Sequence, residues 1–285
     1  GSSIIIGSFT GSASFGSTTL TAANADESDG FIAKLDSNGN YLWAKKIFGG
    51  GGSWASGRDV STFSDGSSII GGGFTGTAEF GDTTLTAVGN SQDGFIARLD
   101  SNGNFLWAKR VGPPTGVGTD SVRATTALGD GSAIVSGQFK TTASFGGTTL
   151  NSAGIEEGFI AKIDKNGNYL WAKKFGGQGR DVAYGVSALS DGSSITTGYF
   201  EKTASFGDIN LTSFNPGVGE TGFVAKLDNN GNYLWAKRFG GLSPDDRGFR
   251  VSSFSDGSSI LVGRFGGTAN FGDITLTRGQ TKGPL

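Results

Sequence analysis

Residues 31–46, FIAKLDSNGNYLWAKK, decide the fold because this stretch occurs four times. It returns with few changes as FIARLDSNGNFLWAKR from Phe95, FIAKIDKNGNYLWAKK from Phe159 and FVAKLDNNGNYLWAKR from Phe223. The copies follow one another every 64 residues, and a fixed period of this length is typical of folds that repeat one supersecondary unit. A residue that recurs in every copy is therefore expected to belong to the scaffold.

The unit around this stretch contains four predicted strands, called a to d. In the copy that begins at Asp181, strand a is VAYGVSALS, and an Asp-Gly turn leads to strand b, SSITTGYF. A TASFGD…INLT excursion precedes strand c, GFVAKLD, and strand d, YLWAKRF. The runs are short and rich in β-branched and aromatic residues, and Asp-Gly and Asn-Gly are strong hairpin signals. We predict an all-β fold, a β-propeller of four-stranded antiparallel blades with a small extra hairpin; a solenoid is the alternative.

The repeats divide one predicted domain, residues 1–285, into three whole and two partial units. Strand b occurs five times and strands a, c and d four times, which predicts four to five blades. Because the last unit lacks strands c and d, two interpretations stay open. Either the chain is part of a larger propeller, or its unfinished blade pairs with another copy and builds a filament. With Gly at position 1 and no Met, we expect a piece of a longer product. The predicted bounds are 1–49 (partial), 50–112, 113–177, 178–241 and 242–285 (partial).

The composition excludes several kinds of protein. The chain has 35% hydrophobic residues, a formal charge of −2, and no Cys, His or Met. A nucleic-acid surface needs a basic face, a Ser-His triad needs His, and a disulfide framework needs Cys, so none of these is predicted. No apolar run has the length of a membrane span, and neither a cofactor nor a catalytic residue is predicted.

In the copy from Asp181, the recurring pattern consists of Asp181, Tyr184, Val186, Asp191, Gly192, residues 197–200, Phe206, Gly207, Leu211, residues 222–228 and Trp235. On these residues the unit resembles the bacterial SBBP-type β-propeller repeat over nearly the whole chain. Its Asp-x-x-Gly-x-x-x-Trp portion is also similar to the quinoprotein propeller repeat, without the cofactor site. The resemblance implies an extracellular or surface-associated bacterial scaffold, and it implies seven blades, more than this chain contains.

Three recurring features have both a structural and a functional interpretation. The turn Asp36-Ser-Asn-Gly-Asn40 alternates oxygen side chains as calcium loops do, but its Gly is fourth rather than sixth, so a tight self-bonded turn is favoured. Basic pairs such as Lys45-Lys46 are interpreted as protection of an outer edge strand rather than as an anionic-surface contact. The strand-d tryptophans are predicted to pack between blades, with a sugar-stacking platform as the alternative: Trp43, Trp107, Trp171 and Trp235.

Residues that differ between units are better candidates for a site, because the fold does not require them. The loops between strands b and c are acidic, which suits calcium or a cationic partner, although solvated loops are the simpler interpretation. No metal site is assigned; the calcium candidates are Asp26, Glu27, Asp29, Glu156 and Glu157. The loops between strands d and a supply the predicted binding residues Trp54, Arg58, Arg180, Asp245 and Asp246.

The sequence thus predicts a non-catalytic extracellular β-propeller on a bacterial cell surface. It is expected to bind a protein or glycan, or to serve adhesion or assembly, with self-association through the unfinished terminal blade. A lectin with one shallow sugar site per blade is the first alternative. A propeller hydrolase or lyase is the weaker alternative, because no pair of carboxylates suited to glycoside cleavage stands out.

Overall fold

The computed structural model describes residues 1–24, 26–50, 52–89, 91–115, 118–217 and 219–279. Strands joined by turns and loops make up these residues, and no helix occurs among them. The strands are β1 (Ser3–Thr10), β2 (Ser12–Phe15), β3 (Thr18–Thr21), β4 (Ser28–Leu35), β5 (Tyr41–Gly49), β6 (Ala55–Thr62), β7 (Ser68–Phe74), β8 (Thr77–Phe80), β9 (Thr83–Thr86), β10 (Asp93–Leu99), β11 (Phe105–Val111), β12 (Ser121–Ala127), β13 (Ala133–Phe139), β14 (Thr142–Phe145), β15 (Thr148–Asn151), β16 (Glu157–Ile163), β17 (Tyr169–Gly177), β18 (Asp181–Ala188), β19 (Ser194–Glu201), β20 (Thr203–Phe206), β21 (Ile209–Thr212), β22 (Glu220–Leu227), β23 (Tyr233–Phe239), β24 (Arg247–Ser253), β25 (Ser259–Arg264), β26 (Thr268–Phe271) and β27 (Ile274–Thr277).

The strands pair into antiparallel sheets that follow the predicted order a, b, c, d. Three sheets contain all four strands of a repeat. Two of them are β6-β7-β10-β11 and β18-β19-β22-β23, and the third, β12-β13-β16-β17, continues into β20-β21. β1, β4 and β5 supply strands b, c and d of the first repeat, while β24 and β25 supply strands a and b of the last. The prediction of an all-β repeat fold with four-stranded antiparallel sheets is confirmed, and the arrangement is propeller-like.

The excursion between strands b and c folds as a hairpin that connects two neighbouring sheets. Its first strand pairs with strand d of the preceding repeat, as β8 does with β5 and β20 with β17. Its phenylalanine packs against both repeats: the ring centroid of Phe206 lies 4.9 Å from that of Phe175 in the preceding repeat and 4.9 Å from that of Phe223 in its own. Each such hairpin therefore stabilises the contact between successive sheets.

Strand d is consequently not the outer edge in every sheet, contrary to the interpretation of its basic pairs. The ends of β5 and β17 are covered by hairpin strands, and the second basic residue of the pair reaches a buried acid at the start of strand c. Lys174 Nζ lies 2.9 Å from Glu157, and Arg110 lies 2.5 Å from Asp93. These cations neutralise buried carboxylates, which would otherwise be costly to bury.

The core lies between the sheets, where the central strands pack. Every residue of the b strands β7 and β13 and of the c strands β10 and β16 is buried. Strands covered on both faces have continuous runs of apolar and small residues rather than alternating patterns, as SIIGGGF of β7 does here.

The two ends of the sheets differ. One end carries the Asp-Gly turns between strands a and b and the Asn-Gly turns between c and d; we call it the turn face. The other carries the b–c and d–a loops; we call it the loop face. Neighbouring repeats meet there through isolated parallel bridges, such as Glu156 with Arg180 and Glu220 with Asp245.

Candidate functional site

A β-bulge in every strand a places one side chain per repeat near the loop face. The pairing of strand a with strand b skips Arg58 in β6, Arg123 in β12, Tyr184 in β18 and Phe249 in β24. Each of these residues stands seven positions before the Asp of the Asp-Gly turn. A bulge breaks the alternation of the strand and redirects the side chain, and the successive strands a lie side by side.

Three of the four bulge residues line one cavity of about 270 Å³, together with Arg250, which follows the fourth bulge residue, Phe249. Three repeats contribute an arginine to it and a fourth contributes a tyrosine, although these residues are far apart in the sequence. The cavity is lined by Ser56, Gly57, Arg58, Arg123, Tyr184 and Arg250. We call it the arginine pocket.

Arg58 is the most strongly perturbed cation of the pocket. Its side chain makes no hydrogen bond or ion pair with any residue that the structure describes, and its Nε atom is buried without a hydrogen-bond partner. Burial lowers the pKa of Arg58 to about 10, and the positive charge of Arg123 acts in the same direction. The structure therefore places an unneutralised guanidinium beside a second one.

Arg123 is held in place by neutral groups. Its Nε donates a hydrogen bond to Oε1 of Gln138 over 2.9 Å, and its guanidinium carbon lies 5.2 Å from the ring centroid of Tyr184. A cation over an aromatic face is attracted by the ring quadrupole. These contacts fix the orientation of Arg123 but leave its charge uncompensated.

Arg250 and Asp59 form an ion pair at the rim of the pocket. Arg250 donates a hydrogen bond to the carbonyl of Tyr184 over 2.8 Å, and its guanidinium approaches Asp59 Oδ1 to 3.8 Å. Asp59 Oδ2 accepts a hydrogen bond from the backbone N–H of Thr125 over 2.6 Å. Burial raises the pKa of Asp59 although these contacts oppose the shift. This carboxylate is thus engaged by Thr125 and Arg250 and does not pair with Arg58 or Arg123.

The five predicted binding-loop residues lie in different surroundings. Arg58 belongs to β6 and lines the pocket, whereas the sequence pattern placed it in a loop. Trp54 is half-buried and Arg180 is exposed on the loop face. Asp245 pairs with Arg264 and lies 3.7 Å from Arg247. Asp246 is fully buried and accepts hydrogen bonds from the backbone N–H groups of Gly241 and Gly266, so its carboxylate holds a loop in place.

The calcium candidates are also dispersed. Asp26 is exposed, while Glu27 accepts hydrogen bonds from Asn24 Nδ2 and Gly52 N–H. Asp29 is buried, binds Gly49 N–H and lies 3.5 Å from Lys46 Nζ. Glu157 is buried against Lys174, and Glu156 joins the bridge to Arg180. Within the described ranges, no three Asp or Glu side chains are grouped as metal ligands.

The repeated tryptophans form hydrogen bonds between neighbouring repeats on the turn face. The indole N–H of Trp107 donates to the carbonyl of Lys165 over 3.0 Å, and Trp171 donates to the carbonyl of Asn229 over 2.9 Å. Both acceptors belong to the c–d turn of the next repeat. Trp43 makes the same contact with Ser101 at 3.4 Å. Trp235 has no such turn beside it among the described residues and is 36% exposed.

The c–d turns satisfy their own polar groups. Asp36 Oδ1 accepts the backbone N–H groups of Asn38 and Asn40, and Oδ2 accepts Nδ2 of Asn40 at 3.0 Å. The copies at Asp100, Asp164 and Asp228 repeat this pattern. Both carboxylate oxygens are therefore used within the turn.

Sequence reasoning missed Arg123, Tyr184 and Arg250 as site residues. A usable signal existed: the position seven residues before the Asp-Gly turn holds Arg, Arg, Tyr and Phe in successive repeats. A large side chain that changes type at one repeat position is not explained by the shared scaffold. Recognising it as a pocket still requires the bulge, which only the strand pairing reveals.

Comparisons with known proteins identify no family for this chain. No model of a protein family matches the sequence. An uncharacterized WD repeat-containing protein of Acanthamoeba polyphaga mimivirus is 30% identical over 113 residues, which is 38% of this chain and 8% of that protein. A protein of unknown function from Bacteroides caccae, known from its crystal structure, aligns with a TM-score of 0.42 and 12% identity over 81% of this chain and 60% of that one. The chain spans less than two thirds of either protein.

The described part of the chain has no helix with the length and apolarity that crossing a membrane requires.

Proposed function

We propose that this chain is a non-catalytic β-propeller scaffold of four to five blades, forming all or part of a ring, that binds a protein or glycan partner at a bacterial cell surface. The likeness to a WD repeat-containing protein and the four-stranded repeats support the propeller. The extracellular location rests on the resemblance to SBBP-type repeats. The partner binds on the loop face, with the arginine pocket at its centre.

One observation carries this proposal: residues that vary between repeats converge on the loop face, whereas residues that recur are used in the scaffold. The arginine pocket collects Arg58, Arg123, Tyr184 and Arg250 from four repeats. The recurring tryptophans and Asp-Asn turns bond one another on the opposite end. Binding residues are commonly displayed by variable segments on a rigid frame, and this distribution matches that pattern.

The loop face also exposes apolar and charged side chains that a partner can contact. Leu242 is 76% exposed in the last d–a loop, and Arg180 is exposed in the loop before β18. A face that exposes both leucine and arginine side chains is suited to a protein or glycan surface of mixed polarity.

The test compares the two ends of the molecule. The full chain is labelled and its binding to bacterial cells and to a glycan array is measured for the parent, for Arg180→Ser with Leu242→Ser, and for Leu106→Ser. Leu106 is 56% exposed but lies at the turn-face end of β11. We expect the loop-face double variant to lose binding and Leu106→Ser to keep it. Equal binding by all three proteins, or loss only in Leu106→Ser, would contradict the proposal.

A further inference from the structure

We propose that the arginine pocket binds the oxyanion group of a small acidic ligand, a carboxylate or a phosphate, between Arg58 and Arg123. This inference rests on the proposed binding function and names the chemistry of its central site. The Tyr184 ring forms the wall against which the rest of the ligand packs.

The first argument is charge balance. Arg58 and Arg123 have no ion pair with any described residue, while the carboxylate of Asp59, the residue after Arg58, is engaged by Thr125 and Arg250. The neighbouring cations Arg247 and Arg264 are paired with Glu220 and Asp245. The pocket therefore contains two uncompensated positive charges at its centre and compensated ones around it. A bound anion would neutralise this excess of positive charge.

The second argument is hydrogen bonding. Nε of Arg58 is buried and has no partner, although buried polar atoms in folded proteins are nearly always hydrogen-bonded. Leaving a buried charged donor unsatisfied is destabilising, so the fold gains nothing from this arrangement by itself. A bound oxyanion would accept from Arg58 and relieve the repulsion from Arg123 in the same step.

The third argument is shape. Guanidinium groups bind carboxylates and phosphates through two parallel N–H donors. The cavity of about 270 Å³ is slightly smaller than the range of pockets for drug-sized ligands, which limits the ligand to a small molecule or one end of a larger one. The bulge positions in the next two repeats carry Tyr184 and Phe249, whose ring centroids lie 5.8 Å apart. The four bulge positions are thus two cationic and two aromatic, which predicts one site per chain rather than one per repeat.

The test uses three probes of similar size on the full chain: glucuronate, glucose 6-phosphate and glucose. Calorimetric titration at low salt is expected to show binding of at least one anionic probe and none of glucose. Arg58→Gln and Arg123→Gln are each expected to weaken that binding about tenfold to a hundredfold, since hydrogen bonds to charged groups contribute ~1.5–3 kcal/mol. The control Arg278→Gln, an exposed arginine that does not line the pocket, is expected to bind like the parent. The preferred probe identifies carboxylate or phosphate as the group bound.

A second measurement does not depend on choosing the right probe. Without any ligand, Arg58→Gln is expected to melt at a higher temperature than the parent, because it removes a buried charge beside Arg123; Arg123→Gln should do the same to a smaller degree. A structural arginine would give the opposite sign.

Two results would overturn the inference: neither anion binds more tightly than glucose, or anion binding survives in both Arg→Gln variants. If either occurs while the loop-face double variant still loses cell or glycan binding, the scaffold proposal stands and only the oxyanion site is wrong. If the anions bind as expected but the loop-face variant binds cells normally, the site stands and the scaffold proposal fails.

Discussion

The indole N–H of Trp171 donates a hydrogen bond to the backbone carbonyl of Asn229, 2.9 Å away in the c–d turn of the next repeat. Gly231, the glycine of the same turn, lies directly against the Trp171 ring. A Cβ atom added to Gly231 would approach the indole to 2.8 Å. The recurring Trp and the recurring Asn-Gly turn of the next repeat are therefore the two halves of one inter-repeat contact.

Trp171→Ala should lower the free energy of unfolding by about 3 kcal/mol, as large aromatic truncations do. The matched variant Trp235→Ala should cost less than about 1 kcal/mol, because surface substitutions have small effects and Trp235 is 36% exposed without a neighbouring turn. Chemical denaturation of both variants measures the difference. Equal losses of stability would show that the contact of Trp171 with the next repeat contributes nothing beyond packing within one repeat.

A comparison of Gly231→Ala with Gly39→Ala separates the effect of the contact with the Trp171 ring from the cost of the left-handed backbone conformation. Both glycines occupy the same turn position with φ near 80°, but a Cβ on Gly39 would meet nothing within 4 Å. Gly39→Ala should cost about 1–2 kcal/mol from the left-handed conformation alone, and Gly231→Ala about 1–3 kcal/mol more from overpacking against Trp171. Denaturation midpoints of the two variants provide the measurement, and identical values would refute the ring contact.

The stability of the fold should fall as the pH rises from about 4 to 8. Burial raises the pKa of Asp120 to about 8, and Asp93 and Glu156 act in the same direction against the hydrogen bond from Lys140 N–H. The carboxyl of an unfolded chain has a pKa of about 3.9, so between these values the folded state binds the extra proton. Stability is then full below the unfolded pKa and is lost as the pH rises through the folded one.

Asp120→Asn should make this pH dependence shallower. Its side-chain oxygen can still accept from Lys140, but it cannot ionise, so the melting temperature at pH 8 should exceed that of the parent by at least ~2 °C. The exposed Asp208→Asn serves as control and should leave the slope unchanged. A parent whose melting temperature rises steadily from pH 5 to 8, or a variant with an unaltered slope, would contradict the assignment.

Self-association through β25 is expected at high protein concentration. Within the described residues this strand pairs only with β24, and Ile260 and Val262 are 56% and 59% exposed on it. A free, apolar edge favours pairing with another strand, so light scattering should show a mass that rises above 29.1 kDa with concentration. Val262→Lys should suppress the rise, whereas Ile274→Lys on the hairpin strand β27 should not. A constant single-chain mass for the parent would refute this edge as an assembly surface.

The sequence by itself determined the repeat, the class of fold and the order of the strands. These features depend on interactions between residues close in the chain. Asp36 accepts hydrogen bonds from Asn38 and Asn40, and Asp65 accepts one from Ser67, so each turn is stabilised by its own residues. Because the hydrophobic runs between such turns are short, strand lengths follow as well. The excursion around Phe206 was also recognisable as a hairpin, but its pairing with the preceding repeat was not.

Only the tertiary structure decided where the variable residues meet. Arg58 was singled out in the sequence for the wrong reason, as part of a loop, and Arg123, Tyr184 and Arg250 were not singled out as site residues at all. The bulge that redirects three of these side chains is a property of the pairing between strands a and b, and the pocket joins residues from repeats that are distant in the chain. Charge repulsion and desolvation at Arg58 arise only when those strands are brought together, because an isolated arginine in water has neither.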